Sequence, residues 1–123
     1  MKLLCAVACC FISWMSVAQN VGIGTNAPVA LLHVANNSVL FTAPATLPFL
    51  PALPPISGPG NRTFWYADKA AFRTGGAAST QWNIDNIGNY SFAAGFGNQA
   101  SAVSSFAMGN FSNAAGEFST AMG

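Results

Sequence analysis

The most restrictive feature of this sequence is a repeat of 14 residues that runs through residues 89–123. The pentapeptide Ser-Phe-Ala-Ala-Gly at 91–95 returns as Ser-Phe-Ala-Met-Gly at 105–109 and as Ser-Thr-Ala-Met-Gly at 119–123. The residues between the motifs keep the same register, since Gln99-Ala100 falls one repeat ahead of Asn113-Ala114. A unit this short cannot enclose a hydrophobic core alone, so it must stack on copies of itself. The repeat therefore predicts an all-β solenoid.

Side chains alternate between the two faces of a strand, and this alternation separates small residues from large ones. We expect the small residues to fill the thin interior of each coil, and these are Ser91, Ala93, Ser105, Ala107, Ser119 and Ala121. The opposite face is apolar and points outward, where each exposed Phe forgoes roughly 1.5–3 kcal/mol of burial. Several identical chains meeting along that stripe would cover it. A glycine ends each motif, which predicts sharp corners with positive φ at Gly95, Gly109 and Gly123.

The pentapeptide resembles the Ser-Val-Ala-Ile-Gly repeat of YadA-like head domains in trimeric autotransporter adhesins. The match covers residues 89–123, with a weaker extension back to Trp65. The resemblance implies a left-handed parallel β-roll and a homotrimer, with the large residues facing the threefold axis: Phe92, Ala94, Phe106, Met108 and Met122. The sequence departs from the family pattern in two ways. Phe replaces the usual branched aliphatic residue, and Thr120 interrupts the apolar face in the third copy.

Residues 62–88 carry a degraded copy of the motif together with several large aromatic side chains. Ala71-Phe72-Arg73-Thr74-Gly75 stands 20 residues ahead of Gly95, so we interpret this region as an atypical first coil with a six-residue insertion. Its exposed aromatic residues allow two interpretations. In the first, Trp65, Tyr66 and Trp82 cap the open end of the solenoid. In the second, the faces of these rings bind a glycan.

Two further segments precede the first coil. Residues 44–61 contain six prolines and are interpreted as a semi-rigid linker. Within residues 19–43, two apolar runs at 29–34 and 38–41 flank an Asn pair, which predicts a short β-hairpin that needs a partner surface. The sequence Val-Gly-Ile-Gly-Thr-Asn-Ala-Pro at 21–28, followed by Leu-His-Val at 32–34, resembles the opening of secreted bacterial fibre and tail-fibre-like proteins.

The first 18 residues have the anatomy of a secretory signal peptide. Lys2 precedes an apolar run from 3 to 17, and Ser16-Val17-Ala18 supplies the small residues of a cleavage site. An uncleaved anchor is the first alternative, although the run is short for a membrane span. Lipidation at Cys9 is the second. All three cysteines lie in this leader, so the mature chain would lack disulfides and thiolate metal sites.

The mature sequence offers little to catalysis or to charged partners. Only 6% of residues are charged, against roughly 25% in an average globular protein, which argues against nucleic-acid binding. The fingerprint-like run at 95–100 lacks a following helix, and His33 has no catalytic neighbours in the sequence. The three carboxylates, Asp68, Asp85 and Glu117, are far apart in the sequence and do not form an acid–base pair. Four sequons resemble glycosylation sites and are explained by chance; they begin at Asn36, Asn61, Asn89 and Asn110. We expect neither an enzyme nor a cofactor.

The sequence thus leads to two functional hypotheses. The first is a secreted adhesin or fibre head at the bacterial cell surface (outer membrane), which binds host or environmental matrix through a trimeric β-roll. The second is a tail-fibre-like, carbohydrate-binding structural protein. Because no stalk or barrel is recognisable before Gly123, we expect membrane anchoring to depend on segments beyond that residue.

We predict that the mature protein begins at Gln19, because only there does a small-residue site follow an apolar run of adequate length. N-terminal sequencing of secreted material checks this. A lipid-modified Cys9 would contradict it.

Overall fold

The computed structural model describes residues 20–123 and divides them into two units, which meet in sequence between Val39 and Leu40. The predicted signal peptide at 1–18 lies outside the described residues. Nine strands form three sheets, and the only helical elements described are two single turns of 3-10 helix, Ala67–Lys69 and Ile84–Asn86. The described chain is therefore all-β, as predicted.

The N-terminal unit is a parallel strand pair, so the predicted hairpin is wrong. Strand β1 (Val21–Ile23) pairs in parallel with β2 (Leu32–Val34), and residues 38–41 form no strand. Asn36 does adopt a positive φ of 60°, but its side chain donates to the Gly24 carbonyl and thereby holds the end of β2 beside the end of β1. The Asn pair therefore closes a parallel coil and does not reverse the chain between two strands.

The second unit is a parallel β-solenoid. Its larger sheet has five strands in the order β3-β4-β5-β7-β9, and its smaller sheet has two, β6 and β8. The strands are β3 (Gly60–Tyr66), β4 (Ala71–Ala77), β5 (Phe92–Phe96), β6 (Gln99–Ala100), β7 (Phe106–Asn110), β8 (Asn113–Ala114) and β9 (Thr120–Met122). From β4 onward all neighbouring strands are parallel.

The pairing register confirms the repeat. Phe92 pairs with Phe106, which pairs with Thr120, and Gln99 pairs with Asn113. The degraded motif is also aligned as predicted, because Phe72 pairs with Phe92 and Gly75 with Gly95. The 14-residue period and the 20-residue offset of the first coil are thus both present in the backbone.

The first coil begins with a strand of opposite direction, which the sequence analysis did not foresee. β3 pairs with β4 along all seven residues in antiparallel register. The reversal is made by the 3-10 turn at Ala67–Lys69 and by Ala70, which adopts a left-handed φ of 46°. The end strand of the larger sheet is therefore not a copy of the repeating strand.

The interior of the repeating coils is lined by alanine. Side chains from the two sheets meet in one cluster: Ala93, Ala100, Ala107 and Ala114, with Ala121 packed against it. Serines occupy the adjoining interior positions, where Ser91 and Ser105 are buried. All six predicted interior residues point inward, although Ser119 and Ala121 in the last coil are only half-buried.

The predicted corners are formed by glycine in two of three cases. Gly95 and Gly109 have φ of 107° and 115°. A side chain at Gly95 would also collide with the Gly109 carbonyl oxygen of the next coil, so both conformation and stacking require glycine there. A corner at Gly123 stays a prediction.

The proline-rich segment is attached to the first coil along its length. Residues 42–59, which we call the strap, contain no strand, but their backbone is bonded by side chains of the first coil at Thr42, Ala52 and Gly58. Gly60 and Asn61, which the prediction placed in the linker, belong to β3. The interpretation as a semi-rigid linker did not include these contacts with the first coil.

We predict that Gly95→Ala lowers the free energy of unfolding by more than about 2 kcal/mol, because left-handed strain and a backbone collision add together. Gly116→Ala is the matched control. Its new methyl would lie 3.6 Å from the Ser119 Cβ, an ordinary contact, and a change within about 0.5 kcal/mol is expected. Denaturant unfolding of both variants measures the difference, and equal losses would contradict the stacking argument.

Candidate functional site

A column of stacked phenylalanines runs across the outer side of the larger sheet. The ring centroids of Phe72 and Phe92 are 5.8 Å apart with an interplanar angle of 16°, and those of Phe92 and Phe106 are 4.8 Å apart at 8°. Parallel in-register pairing places identical side chains about one strand spacing apart, which is the distance at which aromatic rings stack. The column ends at Thr120, which pairs with Phe106.

A second column lies two residues further along each strand. Register places Thr74, Ala94, Met108 and Met122 beside one another on the same side of the sheet. Exposure increases along this column, to 41% at Met108 and 70% at Met122. We call the two columns together the aromatic face; it comprises Phe72, Phe92, Phe106, Thr120, Thr74, Ala94, Met108 and Met122.

The predicted axis residues are register neighbours on the side of the strand opposite the interior alanines, and their place at a threefold axis stays a prediction. Phe92, Ala94 and Phe106 are half-buried, and Met108 and Met122 are exposed. None of the eight residues of the aromatic face carries a charge. Within the single chain, this face is an uncharged apolar strip that neighbouring rings cover only in part.

The interior serines are structural. The hydroxyl of Ser91 donates to the Gly88 carbonyl at 2.6 Å, that of Ser105 to Ala102 at 2.7 Å, and that of Ser119 to Gly116 at 2.6 Å. Each serine therefore closes the turn that precedes its own strand. A hydroxyl held in this way is satisfied locally, which explains how a polar group is tolerated in the interior.

A buried asparagine at the corner after β5 was not identified from the sequence. The Asn98 amide donates to the carbonyls of Ala94 and Gly109, both at 2.6 Å, and its oxygen accepts from the Ser112 backbone N–H at 2.7 Å. Ser112 occupies the same place one repeat later and donates to Met108 at 3.0 Å. The sequence signal that could have identified this corner is the 14-residue spacing between Asn98 and Ser112. The dinucleotide-like run at 95–100 is this corner, between two strands.

Arg73 is the largest departure from the repeating interior. It pairs with Ala93, so its side chain enters the column otherwise filled by alanine, and it is fully buried. Its guanidinium donates to the carbonyls of Phe72, Ser91 and Ala100 and to the Ser91 hydroxyl, at 2.8–3.1 Å. Burial lowers the pKa of Arg73 to about 10, which still leaves the group charged at neutral pH. A cation bonded to neutral oxygens thus joins the first coil to the second.

The other two cations of the described chain also bind backbone carbonyls. Lys69 donates to Ile84 at 2.6 Å and to Ile87 at 2.7 Å, and burial is the main cause of its lowered pKa. Arg62 donates to Gly58 at 2.6 Å and lies 5.3 Å from the ring centroid of Trp82. These side chains hold the first coil together, so they do not form a basic patch for an anionic partner.

The three aromatic residues of the first coil have separate environments. Trp82 is fully buried and its indole N–H donates to the Asn98 carbonyl at 3.0 Å, while Tyr66 is 3% exposed. Both belong to a core with Ala71, Ala77 and Ile87. The glycan-stacking interpretation is therefore wrong for Trp82 and Tyr66, because their faces cannot be reached. They fill the end of the stack, as the capping interpretation expected, and only Trp65 of the three is partly exposed.

A further set of aromatic residues lies at the corners and was not singled out from the sequence. Tyr90 and Phe118 adopt left-handed φ of 57° and 58° at equivalent corners, two repeats apart, and Ser104 stands between them at 54°. Phe96 and Phe111 pack edge to face at 5.4 Å around the next corner. All four rings are about half exposed or more. They point away from the coil interior.

Residues 20–123 contain neither a pocket nor a group of three side chains able to hold a metal ion. They also contain no helix long and apolar enough to cross a membrane. His33 lies in β2, where its Nδ1 accepts the Val29 backbone N–H at 3.3 Å. Asp68 accepts the Ala52 backbone N–H at 2.8 Å. His33 and Asp68 therefore take part in structural contacts.

We predict that Arg73→Met leaves the free energy of unfolding within about 1 kcal/mol of the wild-type value or raises it, because a buried charge is replaced by an apolar group of similar length. The Ser91 and Ala100 carbonyls keep their backbone donors, Phe72 and Gly88. Arg73→Ala leaves a cavity and should lower stability by about 2–4 kcal/mol. Denaturant unfolding compares the two; a Met variant as unstable as the Ala variant would show that the charge itself is required.

No family model, curated protein or solved structure matches this chain. The functional proposal therefore starts from the geometry of the described residues. That geometry consists of a thin solenoid lined by alanine and serine, an uncharged apolar face along one sheet, and a capped first coil.

Proposed function

We propose that this protein is the head of an extracellular adhesin or fibre, in which three copies of the chain pack their aromatic faces together. The observation that carries the proposal is the stacked column of Phe72, Phe92 and Phe106, which lies beside a second column that contains the exposed Met108 and Met122. The coil interior is already filled by alanine and serine, so these large side chains can be buried only against another molecule.

Identical chains are the partners that fit this face best. The face carries no charge and presents one row of side chains per coil, in register from each coil to the next. A second copy offers the same rows at the same spacing, so rings and thioethers can interdigitate without burying an unpaired charge. The resemblance to trimeric adhesin heads supports three copies around one axis, which bury all the faces at once.

The corner aromatics supply the outward contact surface in this proposal. Once the aromatic faces are buried, the exposed rings at Tyr90, Phe96, Phe111 and Phe118 remain at the edges of each coil. We propose that binding uses extended surface contact with these rings, because Tyr and Phe give large contact areas at low conformational cost. Host or environmental matrix is the proposed target. Export through the N-terminal leader is part of the same proposal.

The tail-fibre-like, carbohydrate-binding alternative has less support. Its specific basis was an aromatic platform in the first coil, and two of the three residues of that platform are buried. Trp65 remains partly exposed; it lies opposite Phe72 in the pairing of β3 with β4, but its ring makes no stacked or edge-to-face contact with another described ring. We therefore retain the adhesin or fibre head as the proposed function.

We predict that Phe106→Asp abolishes assembly, because it places a carboxylate from each copy in an apolar seam where desolvation and mutual repulsion both oppose ionisation. Phe118→Asp is the matched control: the same substitution, at a ring that is 76% exposed and lies at a left-handed corner that Asp tolerates. Light scattering and chemical cross-linking should give trimers for the wild type and the control, and monomers for Phe106→Asp.

Two further readouts make the outcome decisive. Fluorescence of the buried Trp82 and circular dichroism report whether Phe106→Asp is still folded. Ser105→Leu should fail differently, by overfilling the thin interior and losing the fold itself. Trimers that persist in folded Phe106→Asp protein would show that the aromatic face is not the interface.

A further inference from the structure

The strap is fastened to the first coil at three separate points. The Trp65 indole donates to Thr42 at 3.4 Å. At Ala52 the backbone N–H donates to the Asp68 carboxylate at 2.8 Å, and the carbonyl accepts from the Tyr66 hydroxyl. At Gly58 the N–H donates to the Asn83 side chain at 2.8 Å, and the carbonyl accepts from Arg62. Between these points Pro54 is buried.

These contacts lie on both faces of β3. Arg62, Phe64 and Tyr66 alternate onto the face that packs on the Trp82 core, whereas Trp65 lies on the opposite face and pairs with Phe72. The strap binds Tyr66 and Arg62 on one face and Trp65 on the other. Because β4 occupies one edge of β3, the strap can reach both faces of β3 only by crossing its other edge or by passing around the end of the strand.

The outer edge of β3 has no backbone partner among residues 20–123. A free edge seven residues long is a template for pairing with another chain, and proteins protect such edges with covering segments or with proline. The strap has both properties, since it lies against β3 and contains six prolines that cannot donate a backbone hydrogen bond. The one charged side chain of β3 is Arg62, which is bonded to the Gly58 carbonyl and lies over the Trp82 ring.

We propose that the strap guards this edge, and that a released strap lets β3 pair with β3 of a second copy. Pairing of one edge strand with its own copy is antiparallel and twofold symmetric, so it closes on itself and doubles the mass. The surface so exposed is distinct from the aromatic face. The strap is thus an intramolecular inhibitor of edge-to-edge association at the capped end of the roll, and its role does not depend on the trimer.

The test compares a strap-release variant with the wild-type chain. Tyr66→Phe combined with Asp68→Ala removes both contacts to Ala52 while the buried ring is kept. Ser112→Ala is the control, because it also removes side-chain bonds to backbone carbonyls, but at a corner far along the sequence from the strap. Limited proteolysis within 42–59 should accelerate roughly 10-fold or more in the release variant only, as expected for two lost hydrogen bonds, one of them to a charged group.

Sedimentation velocity over a range of concentrations then gives the mass. The release variant should reach twice the mass of the wild-type species, whatever that species is, and the control should match the wild type. Adding Asn61→Lys, which places a charge on the exposed edge of β3, should restore the wild-type mass. If proteolysis does not accelerate, replacing residues 43–57 with a Gly/Ser segment of equal length removes the strap outright. A freed or replaced strap with unchanged mass at every concentration would overturn the proposal.

Discussion

The width of the coil interior is the constraint on which the rest of this structure depends. The two sheets approach closely enough that alanine methyls from each fill the space between them. Larger side chains are therefore forced outward, which creates the aromatic face, and interior hydroxyls must bond within their own turn. The same close approach brings the backbone of one coil against the next, so that a side chain at Gly95 has no room. The distance between the two sheets thus determines which residues fill the interior and which residues form the aromatic face, and the close approach of the coils requires glycine at the corner.

The first coil solves a different problem, because one of its sides has no repeating neighbour. A wider core forms there from Tyr66, Trp82 and Ile87, and the fully buried Arg73 spans the transition to the alanine-lined coils. Its hydrogen bonds to Ser91 and Ala100 reach into the next coil. Polar contacts as well as packing therefore hold the wider first coil against the narrower coil that follows it. Antiparallel β3 and the strap then complete the end of the sheet.

The parts of this fold that could be predicted are those that repeat. Period and alternation determine register and the inward or outward direction of each side chain, and both agree with the structure at Phe92, Ala93 and their equivalents. The direction of β3, the docking of the strap and the burial of Arg73 could not be inferred, because each depends on contacts between distant segments that occur once. The parallel pair at 21–34 was missed for a related reason: Asn36 has the positive φ expected of a turn, but only its bond to Gly24 reveals which strands the turn joins.

The capped end also makes the coils of the stack differ in stability along the axis. Each coil contacts mainly its two neighbours, so stability accumulates step by step along the axis in the manner of a one-dimensional lattice. Interior alanines are fully buried at 93 and 107 but only half-buried at 121, where packing exists on one side. Amide protons should exchange with solvent most slowly in the coil that contains Trp82, where the largest buried side chains lie.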